Sequence, residues 1–305
     1  MEERPGGRWG QVLVLAGFLL FAPPMFLFGP LAALLLVSRP GTLREWVWLL
    51  GALGWSALWL QQAGGLGAQF ARSAAVLVSG CFLALTLWRP SNGVCRALTA
   101  TAGAALALAV WMIGLGVRWA TLQAAVEEEM EVFQTAMRRA LSGSEGWSEM
   151  SRQVSLMADT ISLLYPGLLA LAAIAGLRLA WAWYHRIADR PVGAPPLPFP
   201  AFGFSDQLIW GWVIGLALAL VPEPSWAAVA GANVLLVWGA LYAMRGLAVM
   251  AFFGRQTPPA VLVAVAIVTL ILLPFVLGGL TIVGLADTWL DFRRRLAPAT
   301  GGEDR

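Results

Sequence analysis

Two acidic residues near the end of the chain have a spacing that could bind a metal ion. Asp287 and Asp291 lie four residues apart in the stretch LADTWLDFRRR, so they would share one face of a helix. Two carboxylates on one face can hold Mg²⁺ together with a lipid pyrophosphate. An enzyme of that kind usually needs more acids on a facing helix, and apart from Asp206 the apolar segments hold none at comparable depth. We therefore expect neither a catalytic residue nor a metal site here.

Other enzyme classes are disfavoured because the sequence lacks their motifs. His185 is the only histidine, so a histidine metal cluster and a histidine proton relay are excluded. Cys81 and Cys95 are the only cysteines, and they form no CxxC motif. The motif GxxxxGKS/T is also absent, so this chain does not hydrolyse ATP through a P-loop. The prediction is a protein that is not an enzyme and has no cofactor.

Three polar residues inside apolar segments are candidates for substrate binding. They are Arg178, Asn233 and Arg245, and each is costly in lipid unless it has a function or a partner. The two guanidinium groups predict an anionic or polar ligand. Structural roles stay open beside this one, because Arg178 can snorkel toward the membrane surface and Asn233 can form a hydrogen bond between helices.

The composition indicates that the elements positioning these residues lie in a membrane. The chain of 305 residues is 59% hydrophobic and only 12% charged, with a mean hydropathy of +0.73, whereas soluble domains are about 25% charged. Its apolar runs are continuous, which favours helices over the alternating strands of a β-barrel. All 20 basic residues are arginines, but they lie at segment ends and form no single patch. The lipid bilayer is therefore the expected partner, and nucleic acid is not.

The apolar segments predict an all-α fold, a polytopic transmembrane helical bundle. The first segment is interrupted at Pro23-Pro24 and the last at Pro274, and a break at either point would let the chain enter the membrane and return. We therefore expect about 8–10 membrane segments. The glycines of GWVIG (211–215) predict a close contact between helices. The apolar segments are residues 9–37, 46–60, 74–88, 97–117, 161–184, 207–221, 227–253 and 260–286.

Residues 118–160 differ from these segments and predict an extramembrane hairpin. Apolar residues recur there at spacings of three and four, which indicates two amphipathic helices. A turn is expected at SGSEG (142–146). The segment holds seven acids and four arginines, and EEEME (127–131) is interpreted as its solvated face. A Ca²⁺ site is a weak alternative, because the EF-hand spacing is absent.

The charges of the loops predict the topology. Arginine-rich loops alternate with the acidic hairpin, so the positive-inside rule places the hairpin outside and the Pro-rich linker in the cytoplasm. The expected location is the plasma membrane of a bacterium. The predicted regions are N-terminal membrane segments (1–117), the hairpin (118–160), a membrane helix (161–184), the linker (185–205), C-terminal membrane segments (206–292) and a polar tail (293–305).

The end of the last apolar segment is interpreted as an interfacial anchor. Asp287, Asp291 and Arg295 are interpreted as a ladder at i,i+4 spacing, in which each pair contributes only ~0.2–0.5 kcal/mol. The three consecutive arginines favour a cytoplasmic end. The predicted anchor consists of Asp287, Trp289, Asp291, Arg293, Arg294 and Arg295.

Several stretches give the chain a family resemblance. They are YPG (165–167), LYAMRGLAV (241–249) and GLADTWLDFRRR (284–295). Along the chain, the interrupted first segment and the hairpin come before YPG, and the Pro-rich loop comes between YPG and LYAMRGLAV. In these features the chain resembles the YybS-like family of bacterial multi-pass membrane proteins, a domain of unknown function. That resemblance implies a distant similarity to the S components of energy-coupling-factor transporters, which work with a separate ATPase. It implies no catalytic residues.

These observations support two functional hypotheses. The first is a small-molecule-binding or transport component that resembles transporter S components, with a separate ATPase as partner. The alternative is a non-enzymatic structural or regulatory membrane protein, which acts through partner contacts of the acidic hairpin and the Pro-rich linker.

Overall fold

The chain folds into helices, as the apolar pattern predicts. Its structure, a computed structural model, describes residues 23–88, 93–141, 147–222, 225–254 and 272–295, together with the single positions 258, 261, 268 and 269. Within these residues all regular secondary structure is α-helix or 3₁₀-helix. The predicted all-α helical bundle is therefore confirmed.

The described residues form ten α-helices and two one-turn 3₁₀-helices. The 3₁₀ turns are Phe199–Ala201 and Asp206–Leu208. The α-helices are α1 (Pro23–Val37), α2 (Leu43–Gln61), α3 (Leu66–Trp88), α4 (Gly93–Gly114), α5 (Trp119–Leu141), α6 (Trp147–Ile187), α7 (Ile209–Ala219), α8 (Ser225–Phe253), α9 (Leu273–Leu290) and α10 (Phe292–Arg295).

Five of the described helical stretches are long and apolar enough to cross a membrane. They are Leu66–Trp88, Gly93–Gly114, Ser155–Ile187, Trp226–Phe253 and Leu273–Leu290. Phe26–Val37 and Asp206–Ala219 are shorter apolar helices. Pro23 and Pro24 begin α1 and Pro274 lies in the first turn of α9, but the stretches before them, residues 1–22 and 255–271, are outside or largely outside the described residues. The total of about 8–10 segments therefore stays a prediction.

Helix α6 joins two elements that the sequence pattern separates. The second helix of the predicted hairpin and the membrane helix from residue 161 form one continuous helix of 41 residues. Between Trp147 and Pro166 the sequence has no glycine or proline that could end a helix. Pro166 itself removes one backbone hydrogen bond without ending the helix. The predicted turn at residues 142–146 lies outside the described residues.

The chain divides into two compact units, Met1–Pro196 and Leu197–Arg305. The boundary falls inside the predicted linker of residues 185–205, whose prolines disfavour an α-helix. In the first unit, α1 is central and packs against α2, α3 and α6. Phe26, Leu31 and Leu35 of α1 are fully buried there.

In the second unit, glycines allow α8 to pack closely against α7 and α9. A Cβ atom at Gly211 would overlap the ring of Trp238, and one at Gly215 would lie 2.8 Å from Val234 Cγ1. The predicted close contact at GWVIG is therefore confirmed. On the other side of α8, Gly246 meets Gly284 of α9, and a Cβ atom on either would overlap a backbone carbonyl of the facing helix.

Candidate functional site

Arg245 lies at the centre of a buried ion-pair cluster in the second unit. It is 6% exposed and projects from α8, whose glycines bring α9 close. Its Nε donates to Asp287 Oδ2 at 2.9 Å, and its Nη2 donates to the Asp287 carbonyl at 3.3 Å. Its Nη1 pairs with Asp206 Oδ1 at 3.0 Å. All three nitrogens of the guanidinium group therefore have partners.

Arg293 also belongs to the cluster and binds the same carboxylate oxygen as Arg245. Its Nη2 lies 2.9 Å from Asp287 Oδ2, and its Nη1 donates to the carbonyls of Phe202 and Pro200 at 2.8 and 3.2 Å. The backbone N–H of Phe292 donates to Asp287 Oδ1 at 3.2 Å. Two arginines and two aspartates thus balance in charge, and the cluster links α8, α9, α10 and the chain before α7.

A change of chain direction at Asp291 brings Arg293 back to Asp287. Asp291 adopts the left-handed conformation, with φ 43° and ψ 57°, and ends α9. Its carbonyl accepts from the N–H groups of Arg294 and Arg295, both at 3.1 Å. The predicted ladder of Asp287, Asp291 and Arg295 is therefore wrong, because no single helix continues through these residues.

The structure also corrects the expected environment of this segment. Asp287 is 1% exposed and faces inward, and the side chain of Arg293 reaches inward to it. Trp289, Asp291, Arg294 and Arg295 are exposed. Interfacial anchoring stays a prediction for this set, but Asp287 and Arg293 also have partners inside the unit. With Asp287 neutralised by two arginines and the helix interrupted before Asp291, the alternative of a two-aspartate Mg²⁺ site loses its geometric basis.

Asp206 has a different role from the helix cap that its position before α7 would suggest. Ser205 caps the 3₁₀ turn through its side chain, which accepts from Gln207 N–H. The carboxylate of Asp206 points to Arg245 instead. Among the described residues, no group of three or more histidine, cysteine or acidic side chains could hold a metal ion.

The three predicted binding residues are divided between the two units. Arg178 belongs to the first unit, and Asn233 and Arg245 belong to the second. Asn233 lies 12 residues before Arg245 on α8, a separation of about 18 Å along the helix, and its Nδ2 donates to the Val229 carbonyl at 2.9 Å. Ligand binding by the three residues stays a prediction.

The first unit contains an apolar cavity that is partly open to its surroundings and that the sequence pattern did not single out. Its volume is about 210 Å³. Thr101 is the only lining residue with a polar side chain besides Trp119, and its hydroxyl donates to the Ala97 carbonyl at 2.9 Å. The alanines of α3, α4 and α6 were the available signal, because small side chains leave space where helices do not close. Lining residues are Phe26, Phe70, Ala74, Val78, Thr101, Ala104, Ala105, Leu108, Ala109, Met112, Trp119, Pro166, Leu169, Ala170 and Ala173.

The first unit has a cluster of its own, which surrounds Trp181 of α6. The guanidinium carbon of Arg96 lies 4.1 Å from the centre of the Trp181 ring and 5.2 Å from that of Phe82. His185 packs edge-on against the same tryptophan, with ring centres 4.5 Å apart. Arg96 directly precedes the apolar segment of residues 97–117. It lies on α4 and is 3% exposed.

Two glutamates tie helices of the first unit together. Glu129 of α5 accepts from the N–H of Ala68 at 3.3 Å, in the first turn of α3, where a carboxylate is favourable. The prediction that residues 127–131 form a solvated face is therefore wrong for Glu129. Glu45 is 2% exposed, and its Oε1 accepts from Asp189 N–H at 2.9 Å. Its Oε2 accepts from the N–H groups of Thr42 and Gly41 at the start of α2.

These features define an integral membrane protein with helices in two units, one containing an apolar cavity and the other an ion-pair cluster around the buried Arg245 and Asp287. The chain belongs to the family described as Predicted membrane protein (DUF2232), whose model matches residues 12–288. No curated protein matches the chain, and no solved structure does. The family description supports the membrane location and specifies no ligand or partner.

Proposed function

We propose that this protein is a small-molecule-binding component of a bacterial plasma membrane, and that an apolar part of its ligand occupies the cavity of the first unit. The cavity of about 210 Å³ carries this proposal. Protein interiors are otherwise close-packed, and an apolar cavity of about 150 Å³ is large enough to bind benzene. The expected ligand group is therefore a ring or a short branched chain. The resemblance to transporter S components supports delivery of the ligand to a separate ATPase.

A substitution that fills the cavity tests this proposal. Ala104 of α4 is 1% exposed and lines the cavity, so Ala104→Leu would place three extra carbon atoms inside it. Ala102→Leu is the matched control, because Ala102 is exposed on the same helix. The measurement is the thermal unfolding temperature of the detergent-solubilised protein, with benzene as the probe.

We expect benzene to raise the unfolding temperature of the wild type and of Ala102→Leu, but not that of Ala104→Leu. An equal response of all three proteins, or none in the wild type, would contradict the proposal. Mass spectrometry of the native protein should also detect a co-purified molecule that Ala104→Leu has lost.

The alternative is a structural or regulatory protein, and the ion-pair cluster of the second unit favours it. Arg245 has partners for all three guanidinium nitrogens, as expected of a scaffold. Purification from native membranes separates the hypotheses. An ATP-hydrolysing partner that remains when Glu128 and Glu131, two exposed acids of the predicted hairpin, are replaced by glutamine would support the transport component. Partner binding that depends on these two acids, with no ATPase recovered, would support the alternative.

A further inference from the structure

Arg96 is a buried cation without an anionic partner. It is 3% exposed, and its Nε is buried without a hydrogen bond. No carboxylate among the described residues forms an ion pair with it. Arg245 in the second unit contacts two aspartates, so the same chain provides a comparison in which a buried guanidinium is neutralised.

Two further basic side chains surround the same tryptophan as Arg96. Arg178 Nη1 lies 3.3 Å from the position that a Cβ atom would occupy on Gly93, and Trp181 Cδ1 lies 3.8 Å from that position. Gly93 precedes Arg96 by three residues and so shares its face of α4. His185 contacts Trp181, and its Nε2 is also buried without a hydrogen bond in the described part of the chain.

The aromatic rings compensate this cluster only in part. Cation–π contacts with Trp181 and Phe82 stabilise the Arg96 guanidinium, but they leave its buried Nε–H without an acceptor. Buried charges in proteins are normally paired. A second guanidinium nearby increases the need for a negative charge, and no acid of the described residues supplies it.

We propose that Arg96, Arg178 and His185 bind an oxyanion of the phosphate class. Guanidinium groups match phosphate oxygens through parallel N–H donors, and the imidazole N–H can add a further donor. The phosphate belongs either to a soluble molecule or to a phospholipid headgroup. None of the three residues lines the apolar cavity, so the inference goes beyond the proposed function and can hold if that function is wrong.

The test compares the response of the wild type and of Arg96→Gln and Arg178→Gln to phosphate. Arg190→Gln is the matched control, because Arg190 is exposed in the same unit. Proteins in a phosphate-free detergent receive inorganic phosphate, or sodium chloride of equal ionic strength. At about ten times its Kd, phosphate should raise the unfolding temperature of the wild type and control by about 2 °C. Both site variants should lose this shift, and Arg178→Gln serves alone if Arg96→Gln does not fold.

A second arm identifies the source of the phosphate. Phosphatidylglycerol is added to the same proteins, and native mass spectrometry counts the lipids that remain bound. Loss of one bound lipid in both site variants assigns the site to a headgroup, whereas a shift with inorganic phosphate alone assigns it to a soluble ligand. The proposal is overturned if the wild type responds to neither probe, or if the site variants respond as the control does.

Discussion

At the scale of single residues, the chemistry of Asp287 depends on contacts that no local pattern contains. The apolar run around Arg245 identifies that arginine as a polar residue needing a partner. Its partner Asp287 is 42 residues away, and only the crossing of α8 and α9 brings the two together. Asp287 in turn looks like a surface acid, because three consecutive arginines begin six residues later. Its burial depends on the left-handed Asp291, and helical periodicity cannot predict that residue's conformation.

The first prediction concerns the charge of Asp287. Asp287→Asn removes the carboxylate that Arg245 and Arg293 share, and breaking a buried pair from one side costs about 3–5 kcal/mol. We expect the free energy of unfolding to fall by about that amount in denaturant titrations of the detergent-solubilised protein. Asp291→Asn is the control, because Asp291 is exposed and asparagine tolerates the left-handed conformation. Equal effects of the two substitutions would contradict the structural role of the cluster.

The second prediction concerns the pH dependence conferred by Glu45. Hydrogen bonds from the N–H groups of Asp189, Thr42 and Gly41 lower the pKa of Glu45 from 4.5 to about 2. A lowered pKa in the folded state stabilises the protein above pH 4.5, and this contribution is lost as the pH falls toward 2. The difference in unfolding temperature between wild type and Glu45→Gln should therefore shrink across this interval. Glu128→Gln, at an exposed position of α5, should show no such convergence.

At the scale of elements, hydropathy locates the helices but not their ends. The apolar segment from residue 74 belongs to a helix that begins at Leu66, and the segment from residue 97 belongs to one that includes Gly93. In both cases polar residues such as Gln69 and Arg96 are helical, although their hydropathy places them outside the apolar run. Helix ends depend on backbone hydrogen bonds and caps. The apolar pattern indicates only which residues are suited to contact lipid.

The third prediction concerns the contact between α8 and α9. A Cβ atom on Gly284 would overlap the Tyr242 carbonyl and lie 2.9 Å from Gly246 N, so Gly284→Ala must push the two helices apart. Gly278→Ala on the same helix meets nothing within 4 Å and should stabilise α9 by about 0.5–1 kcal/mol. Thermal unfolding should therefore show opposite signs for the two substitutions. The contact would be less tight than described if Gly284→Ala were also stabilising.

At the scale of the whole molecule, the distribution of charge predicts which side each region faces. The hydrocarbon core is about 30 Å thick, and α6 is about 62 Å long, so roughly half of α6 must lie outside that core. The number of membrane crossings cannot be derived from apolar length alone. Segments such as 9–37 are long for one crossing and short for two.

The fourth prediction tests this topology by labelling single cysteines. Glu128→Cys on α5 and Arg190→Cys in the linker are both exposed positions, introduced after Cys81 and Cys95 are replaced by serine. In intact cells, a membrane-impermeant thiol reagent should label position 128 and not position 190. Both should react once the membrane is permeabilised. The reverse pattern in intact cells would invert the topology.

The unbroken length of α6 has a mechanical consequence. A helix of 41 residues is a stiff lever, and a tilt of about 5° displaces one end relative to the other by about 5 Å. Force applied near Trp147 is thus transmitted along the backbone to the turn that carries Trp181. Pro166 stands almost midway along the lever, with 19 helical residues before it and 21 after it. Since the backbone hydrogen bond is missing there, this is where the lever bends first.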